Sequence, residues 1–134
     1  MNIDNIYHDL IANIPANQVL MNEPMKNHTS FKIGGPADIV VIPSQVEHIR
    51  HIMMSCQKWN VPFMIMGNGS NLLVRDKGIR GVVIKMSGLF NRVWIEGACI
   101  RAQSGVLLSV LSRKALKAGL AGLEFASGIP GTLG

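Results

Sequence analysis

Met66-Gly67-Asn68-Gly69-Ser70-Asn71-Leu72-Leu73 lies between two hydrophobic runs and gathers small and hydrogen-bonding residues in one place. Glycines separated by one residue let the backbone take positive φ and approach a ligand closely, so successive N–H groups can converge on phosphate oxygens. Ser70 and Asn71 add side-chain donors. The preceding Val61-Pro62-Phe63-Met64-Ile65-Met66 reads as a buried strand, which puts the loop at a strand end, where α/β proteins place ligand sites. The residues alone admit two readings, an anion cradle and an ordinary Gly/Asn turn between strands.

Neither of two familiar phosphate motifs is present. A P-loop requires Gly-Lys-Ser/Thr after the glycine turn, whereas Asn71-Leu72-Leu73-Val74 follows Gly69-Ser70. A dinucleotide fingerprint requires a third glycine opening a helix, but Leu72 stands there and Arg75-Asp76-Lys77-Gly78 reads as a turn. Gly81-Val82-Val83-Ile84-Lys85-Met86 is a second β-branched run, so the loop is a pyrophosphate-sized cradle between two strands.

Composition narrows the classes. With 48% hydrophobic residues over 134 positions the chain buries a real core and is long enough for one domain or two small lobes. The net charge of +5 suits an anionic ligand, but the basic residues are scattered, and 5% aromatics leave little to stack on bases. These features argue against nucleic acid as a partner. Cys56 and Cys99 form no C-x-x-C pair and read as buried thiols in a reducing compartment. The N-terminus has no basic segment followed by an apolar core, and no apolar run approaches a membrane span of about 18 residues. The expectation is a cytoplasmic chain with no membrane partner; sequence gives no oligomeric state. The glycine-dense ending Gly128-Ile129-Pro130-Gly131-Thr132-Leu133-Gly134 reads as a specialised loop, and the expectation is that the chain stops in mid-fold.

In chain order, Ile3, Ile6, Tyr7, Leu10 and Ile11 recur at helical spacing, which predicts a short helix near 3–13 docked as a flap. Val19 to Pro24 reads as extended chain, and His28 to Asp38 as a polar strand broken at Gly34-Gly35-Pro36 before the apolar strand 39–42. His28 is open to either a ligand or a solvated role. Val46, Ile49, Met53 and Cys56 predict a helix over 44–59, hence a βαβ unit up to Met66. His48 and His51 are three apart, yet no further ligand of suitable spacing accompanies them, so no metal site is assigned. Residues 92–103 predict a hairpin about Gly97-Ala98, and 106–118 a helix stopped by Gly119. Glu124 at a helix end reads as solvated and not as a base.

Three segments, Thr29-Ser30-Phe31-Lys32-Ile33-Gly34-Gly35-Pro36-Ala37-Asp38, Gly67-Asn68-Gly69-Ser70-Asn71-Leu72-Leu73-Val74 and Phe125-Ala126-Ser127-Gly128-Ile129-Pro130-Gly131-Thr132-Leu133-Gly134, together resemble the bacterial UDP-N-acetylenolpyruvylglucosamine reductase family in order and spacing. The resemblance covers the chain from about residue 28 onward. It implies an α+β chain of α/β lobes, with the FAD-binding fold of the vanillyl-alcohol oxidase/p-cresol methylhydroxylase type in truncated form. The expected division is an N-terminal helix and lead-in at 1–27, a first FAD-binding lobe at 28–86 and an incomplete second lobe at 87–134, with the substrate domain absent. It also implies that Gly67, Asn68, Gly69, Ser70 and Asn71 hold the FAD pyrophosphate, and that Ser127, Gly128, Ile129, Gly131, Thr132 and Gly134 run beside the flavin.

The implied activity belongs to peptidoglycan precursor synthesis: NADPH reduces FAD, and a hydride passes to the enolpyruvyl group of the UDP-sugar to give UDP-N-acetylmuramate. In that family a serine delivers the proton, supported by a glutamate and an arginine, all in segments downstream of the glycine loop. No catalytic residue is therefore assigned in this chain. The glycine loops hold no histidine or cysteine to tether flavin, so the FAD is expected to be non-covalent. Two alternatives stand beside this reading: another flavin oxidoreductase of the same fold, and a non-catalytic remnant that binds a nucleotide or a partner.

Overall fold

The computed structural model describes all 134 residues. In chain order the elements are α1 (Ile3–Ile11), β1 (Val19–Pro24), β2 (Pro36–Val41), α2 (Val46–Trp59), β3 (Phe63–Met66), β4 (Ile79–Lys85), β5 (Val93–Glu96), β6 (Cys99–Ala102) and α3 (Leu108–Lys117), with 3₁₀ turns at Ala16–Gln18, Met25–Asn27 and Glu124–Gly128. The β-branched stretches of β2 and β4 form the centre of a four-stranded sheet ordered β1-β2-β4-β3. β4 runs parallel to both β2 and β3, and β1 pairs antiparallel with β2. The strand–helix–strand unit from β2 through α2 to β3 is thus present, but β4 is inserted between its two strands.

Alternation along the central strands divides the core between two faces. Ile39, Val41, Val82 and Ile84 join Ile6, Leu10, Ile52 and Cys56 in one cluster beneath α1 and α2. Ala37, Val40 and Val83 join Met25, Met66 and Val74 in a second cluster on the opposite face. Each fully buried aliphatic side chain here contributes about 1.5–3 kcal/mol. One extra residue in β4 shifts the β2–β4 register between Ala37 and Ile39, and the buried Asp38 accepts the Gly81 N–H at 2.8 Å and pairs with the Arg80 guanidinium. A carboxylate inside the sheet is thereby satisfied on both oxygens.

Five expectations change. α1 is part of the core and not a flap, since Ile6 and Leu10 are fully buried. Residues 19–24, expected as extended lead-in, are the edge strand β1, so the segment 1–27 contributes a helix and a strand to the four-stranded sheet and its core. Residues 28–33 form no strand; the chain turns there, and β2 begins only at Pro36. β3 is not buried: it is the other sheet edge, with Phe63 and Ile65 42% and 56% exposed, because β4 covers it on one side only. Of the two cysteines, Cys56 is buried and burial pushes its thiol up to about 11, whereas Cys99 is exposed in the β5–β6 ribbon.

One polar cluster locks α1 to α2. Asp9 accepts from Ser55 Oγ at 2.7 Å and from Lys58 Nζ at 3.2 Å, and its backbone carbonyl meets His51 Nε2 at 2.9 Å. The Ser55 hydroxyl, followed by Lys58, holds the Asp9 carboxyl below its ordinary range, against the opposing effect of burial. A depressed carboxylate stabilises the fold above the unfolded-state pKa of about 3.9 and loses that contribution as pH falls through the lower folded value. Asp9→Asn is expected to cost about 1 kcal/mol at neutral pH. Urea unfolding at pH 7 and pH 3 checks this: the gap between variant and parent should narrow in acid, and a constant gap would show that the ionised form is not what matters.

Candidate functional site

The chain leaves β3 at Met66, whose carbonyl accepts from Met86 N at 2.8 Å. It then crosses the second cluster's face, where Leu72 and Val74 pack, and returns to β4. The turn is pinned from below, because Ser30 N donates to the Gly69 carbonyl at 3.0 Å and Gly69 takes φ +67°. A Cβ at Gly69 would overlap the His28 carbonyl oxygen, and one at Gly67 would overlap Thr132 Oγ1. The close approaches that demand glycine here are made by the protein's own atoms.

Facing this loop is the segment 129–134, held by backbone bonds to the start of α3. Leu108 N donates to the Gly131 carbonyl at 3.1 Å, Leu133 N to Val106 at 2.9 Å and Gly134 N to Ser104 at 2.9 Å. Ser70 Oγ reaches the Pro130 carbonyl at 3.4 Å across the gap, and Thr132 Oγ1 bonds the Gly134 carbonyl at 2.9 Å. Between the two loops lies an open hollow of about 360 Å³, within the range of small-molecule sites.

Of the residues singled out from sequence, Gly67, Asn68, Gly69, Ser70, Asn71, Ile129, Gly131, Thr132 and Gly134 line this hollow. Ser127 does not; its hydroxyl donates to the Glu124 carbonyl at 2.8 Å, and it borders a separate hollow beside α3 with Arg113 and Glu124. Gly128 lines neither hollow. Gly34 and Gly35 sit at the other end of the sheet, where Gly35 N bonds the Arg75 carbonyl at 3.0 Å and Gly34 packs on Val74, so they brace the returning limb of the loop. Glu124 caps locally, accepting from Gly122 N at 2.8 Å.

The hollow carries no acidic or basic side chain. Its polar groups are backbone amides, Asn68, Ser70, Asn71 and Thr132, and Leu108 brings the positive end of the α3 dipole to its rim. Such a donor-rich, acid-free wall suits an anion. His28, by contrast, is neither solvated nor in the hollow. It is buried, with Nε2 3.0 Å from Glu23 Oε1 and Nδ1 3.0 Å from Lys85 Nζ. Burial lowers the Lys85 pKa, with Glu23 opposing the shift. No local sequence pattern links Glu23, His28 and Lys85; only the sheet brings them together. His48 and His51 are both engaged elsewhere, His48 with Ser44 Oγ at 3.3 Å and Gln45 at 2.9 Å, and burial pushes the His48 pKa down.

Comparison with known proteins gives this hollow a context. The sequence pattern of a family described as FAD binding domain matches residues 37–134. The UDP-N-acetylenolpyruvoylglucosamine reductase of Alkaliphilus metalliredigens (strain QYMF) is 53% identical over 134 residues, covering 100% of this chain and 44% of the relative. The chain therefore spans less than half the length of that relative. Among solved structures, the UDP-N-acetylenolpyruvylglucosamine reductase from Thermus caldophilus superposes with a TM-score of 0.66 at 33% identity, over 87% of this chain and 39% of that one. An alkyldihydroxyacetonephosphate synthase, at 22% identity and a TM-score of 0.68 over 87% of this chain and 25% of that one, shares the fold.

The packing at Gly69 generates a prediction that separates space from conformation. Gly97 has φ +62°, close to that of Gly69, but open space where a Cβ would go. Gly97→Ala should cost only the left-handed strain, about 1 kcal/mol, whereas Gly69→Ala must also displace the His28 carbonyl and should cost clearly more. Thermal or urea denaturation of the two variants decides; equal losses would mean that the loop yields freely.

Proposed function

Because the chain belongs to the FAD binding domain family, we propose that it holds FAD non-covalently, with the diphosphate in the hollow between residues 67–71 and 129–134, as part of an NADPH-dependent reductase that converts UDP-N-acetylglucosamine enolpyruvate to UDP-N-acetylmuramate. Its fold is the FAD-binding fold of the vanillyl-alcohol oxidase type. The observation that carries the placement is that two glycine loops, sixty residues apart in sequence, are tied to one another by Ser70 and Pro130 around a space without a single carboxylate.

Each wall has a distinct task in this reading. Gly67 to Asn71 present amides and short polar side chains to the diphosphate, and the close packing beneath Gly69 keeps those donors aimed before any ligand arrives. Ile129 to Gly134 form the opposite wall, with the backbone of Gly131 and Gly134 spoken for by α3 and its lead-in. Ser127 and Gly128 would run beside the flavin from the far side of that wall. When bound, the flavin supplies hydride transfer between a nicotinamide and the enolpyruvyl double bond. The lining contains no histidine, cysteine or tyrosine, so nothing here would tether it.

Substrate binding and proton delivery lie outside what this chain's residues offer: the proton-donating serine and its supporting glutamate and arginine have no counterpart in it. The identity to the reductases favours this reaction over another flavin oxidoreductase of the same fold, such as the alkyldihydroxyacetonephosphate synthase at 22% identity. A cytoplasmic location belongs to the same reading, since the reaction works on a sugar nucleotide.

Two outcomes test the reading. The purified chain should take up FAD with a flavin absorption band, and acid precipitation should release the colour into the supernatant; a colourless protein that ignores added FAD would overturn the cofactor assignment. Supplied with FAD, NADPH and the enolpyruvyl sugar nucleotide, the chain alone should give no UDP-N-acetylmuramate, since a positioned acid is worth about 10² to 10⁴ in rate and substrate positioning more. Product formation by the isolated chain would place the catalytic groups within residues 1–134.

A further inference from the structure

The hollow's lining holds no cation, and a diphosphate removed from water into it would meet only amides, small polar side chains and one helix terminus. Directly behind the same loop is a cation without an anionic partner in contact. Lys85, the last residue of β4, is aligned with Met66, the last residue of β3 before the cradle. Its Nζ contacts His28 Nδ1 at 3.0 Å and makes no salt bridge. The ring of His28 is held from the far side by Glu23 Oε1 at 3.0 Å, a carboxylate oxygen that also accepts from Asn27 Nδ2 at 3.1 Å. In the ammonium form Lys85 can only donate to Nδ1, which makes His28 the Nε2–H tautomer with Glu23 as its acceptor. The backbone of His28 is the surface on which Gly69 rests, and Ser30, two residues on, bonds the Gly69 carbonyl.

We propose that the Lys85 ammonium, set in place by His28 and Glu23, is the counter-charge beneath the cradle for a diphosphate bound in the hollow, a role that rests on the reading of the hollow as an FAD site. Lys85 acts through His28 and the loop and does not touch the ligand, so it is a positioning residue. The sheet explains why it can do so: side chains at Val83 and Lys85 project from the same face, onto which the cradle folds. Burial opposes its charge, and Glu23 restores only part of what burial removes. An anion arriving above the loop would supply the rest, because charges separated by protein are screened far less than charges separated by water. Binding and protonation are then linked. An anion favours the ammonium, so FAD affinity is greatest while Lys85 is charged and falls as pH rises through its titration. Glu23 from β1 and His28 from the turn after Met25–Asn27 are the ionisable groups that face it.

The experiment titrates FAD, riboflavin and ADP into the chain and into Lys85→Met, Lys85→Arg and Glu23→Gln, with a thermal midpoint for each. Lys85→Met keeps the length and apolar stem, so the fold should hold while FAD and ADP bind roughly tenfold or more weakly and riboflavin, which lacks the diphosphate, is unaffected. Lys85→Arg should recover most of the loss. Glu23→Gln, which keeps the acceptor oxygen but withdraws the carboxylate that favours the ammonium, should move the alkaline decline in FAD affinity to lower pH, whereas a purely structural strut would leave that pH profile in place. The alkaline decline in FAD affinity should be present in the parent and absent in Lys85→Met. FAD affinity within twofold of the parent in Lys85→Met, or an equal loss for riboflavin and FAD, overturns the inference. Should the parent bind no flavin, the cofactor reading falls, and ADP then decides the role of Lys85 alone: weaker ADP binding in Lys85→Met sustains it, and unchanged or undetectable ADP binding overturns it.

Discussion

The contact between Gly69 and the His28 carbonyl is the constraint on which the candidate site depends. With the Ser30 amide bonded to the Gly69 carbonyl, it presses the cradle onto a sheet face already closed by Met25, Val40 and Val83. A loop fixed in this way has lost its conformational freedom before any ligand arrives, so a ligand need not order it. Gly67 plays the matching part toward the other wall, since only a hydrogen there leaves room for Thr132. The two cradle glycines are thus consumed by packing within the protein. The backbone N–H groups of residues 67–71 donate none of the hydrogen bonds that hold the loops.

Elements with a sustained helical period or a continuous β-branched run were legible in the sequence. The 3.6-residue period of α2 and the β-branched centres of β2 and β4 declare themselves because α2 buries one stripe in the first cluster, while β2 and β4 bury one face in each of the two. Sheet order was not legible. Nothing in Val61 to Met66 says that β4 will be inserted between β2 and β3, and a hydrophobic run was therefore read as a buried strand when it is an edge. The same applies to β1, where Glu23 and Pro24 dilute the apolar signal that pairing with β2 would otherwise give. The misread strand at 28–33 has a different cause: its polar residues serve contacts to Gly69 and Lys85, which are long-range and leave no local period.

Each loop of the site was recognisable by itself, from glycines flanked by Ser, Asn and Thr. Their union came only from the family resemblance and not from the residues themselves, because it depends on bonds between Ser104–Leu108 and Gly131–Gly134 and on one hydroxyl reaching from Ser70 to Pro130. The same bonds exclude Ser127, whose place before the turn puts its hydroxyl on the local carbonyl of Glu124. His28 shows the limit from the other side. A histidine among polar residues looks solvated until Glu23 and Lys85, carried by different strands, close over it.

The two walls of the hollow are held by separate bond sets, and this governs how well they can fit a ligand. One wall belongs to the sheet through Met66, His28 and Ser30; the other belongs to α3 through Val106, Leu108 and Ser104. Few protein atoms bridge them, chiefly the Ser70 hydroxyl, 3.4 Å from the Pro130 carbonyl, and the Thr132 hydroxyl, set where a Cβ at Gly67 would go. The spacing of the walls is therefore set by small side chains and not by extended core. A diphosphate between them would add hydrogen bonds to both walls at once and so stabilise the very arrangement that binds it, by mass action on the state in which the walls are apposed. The absence of charged side chains from the lining makes that apposition tolerable without ligand: no like charges are brought together when the loops meet, and the donors that remain unpaired face open solvent.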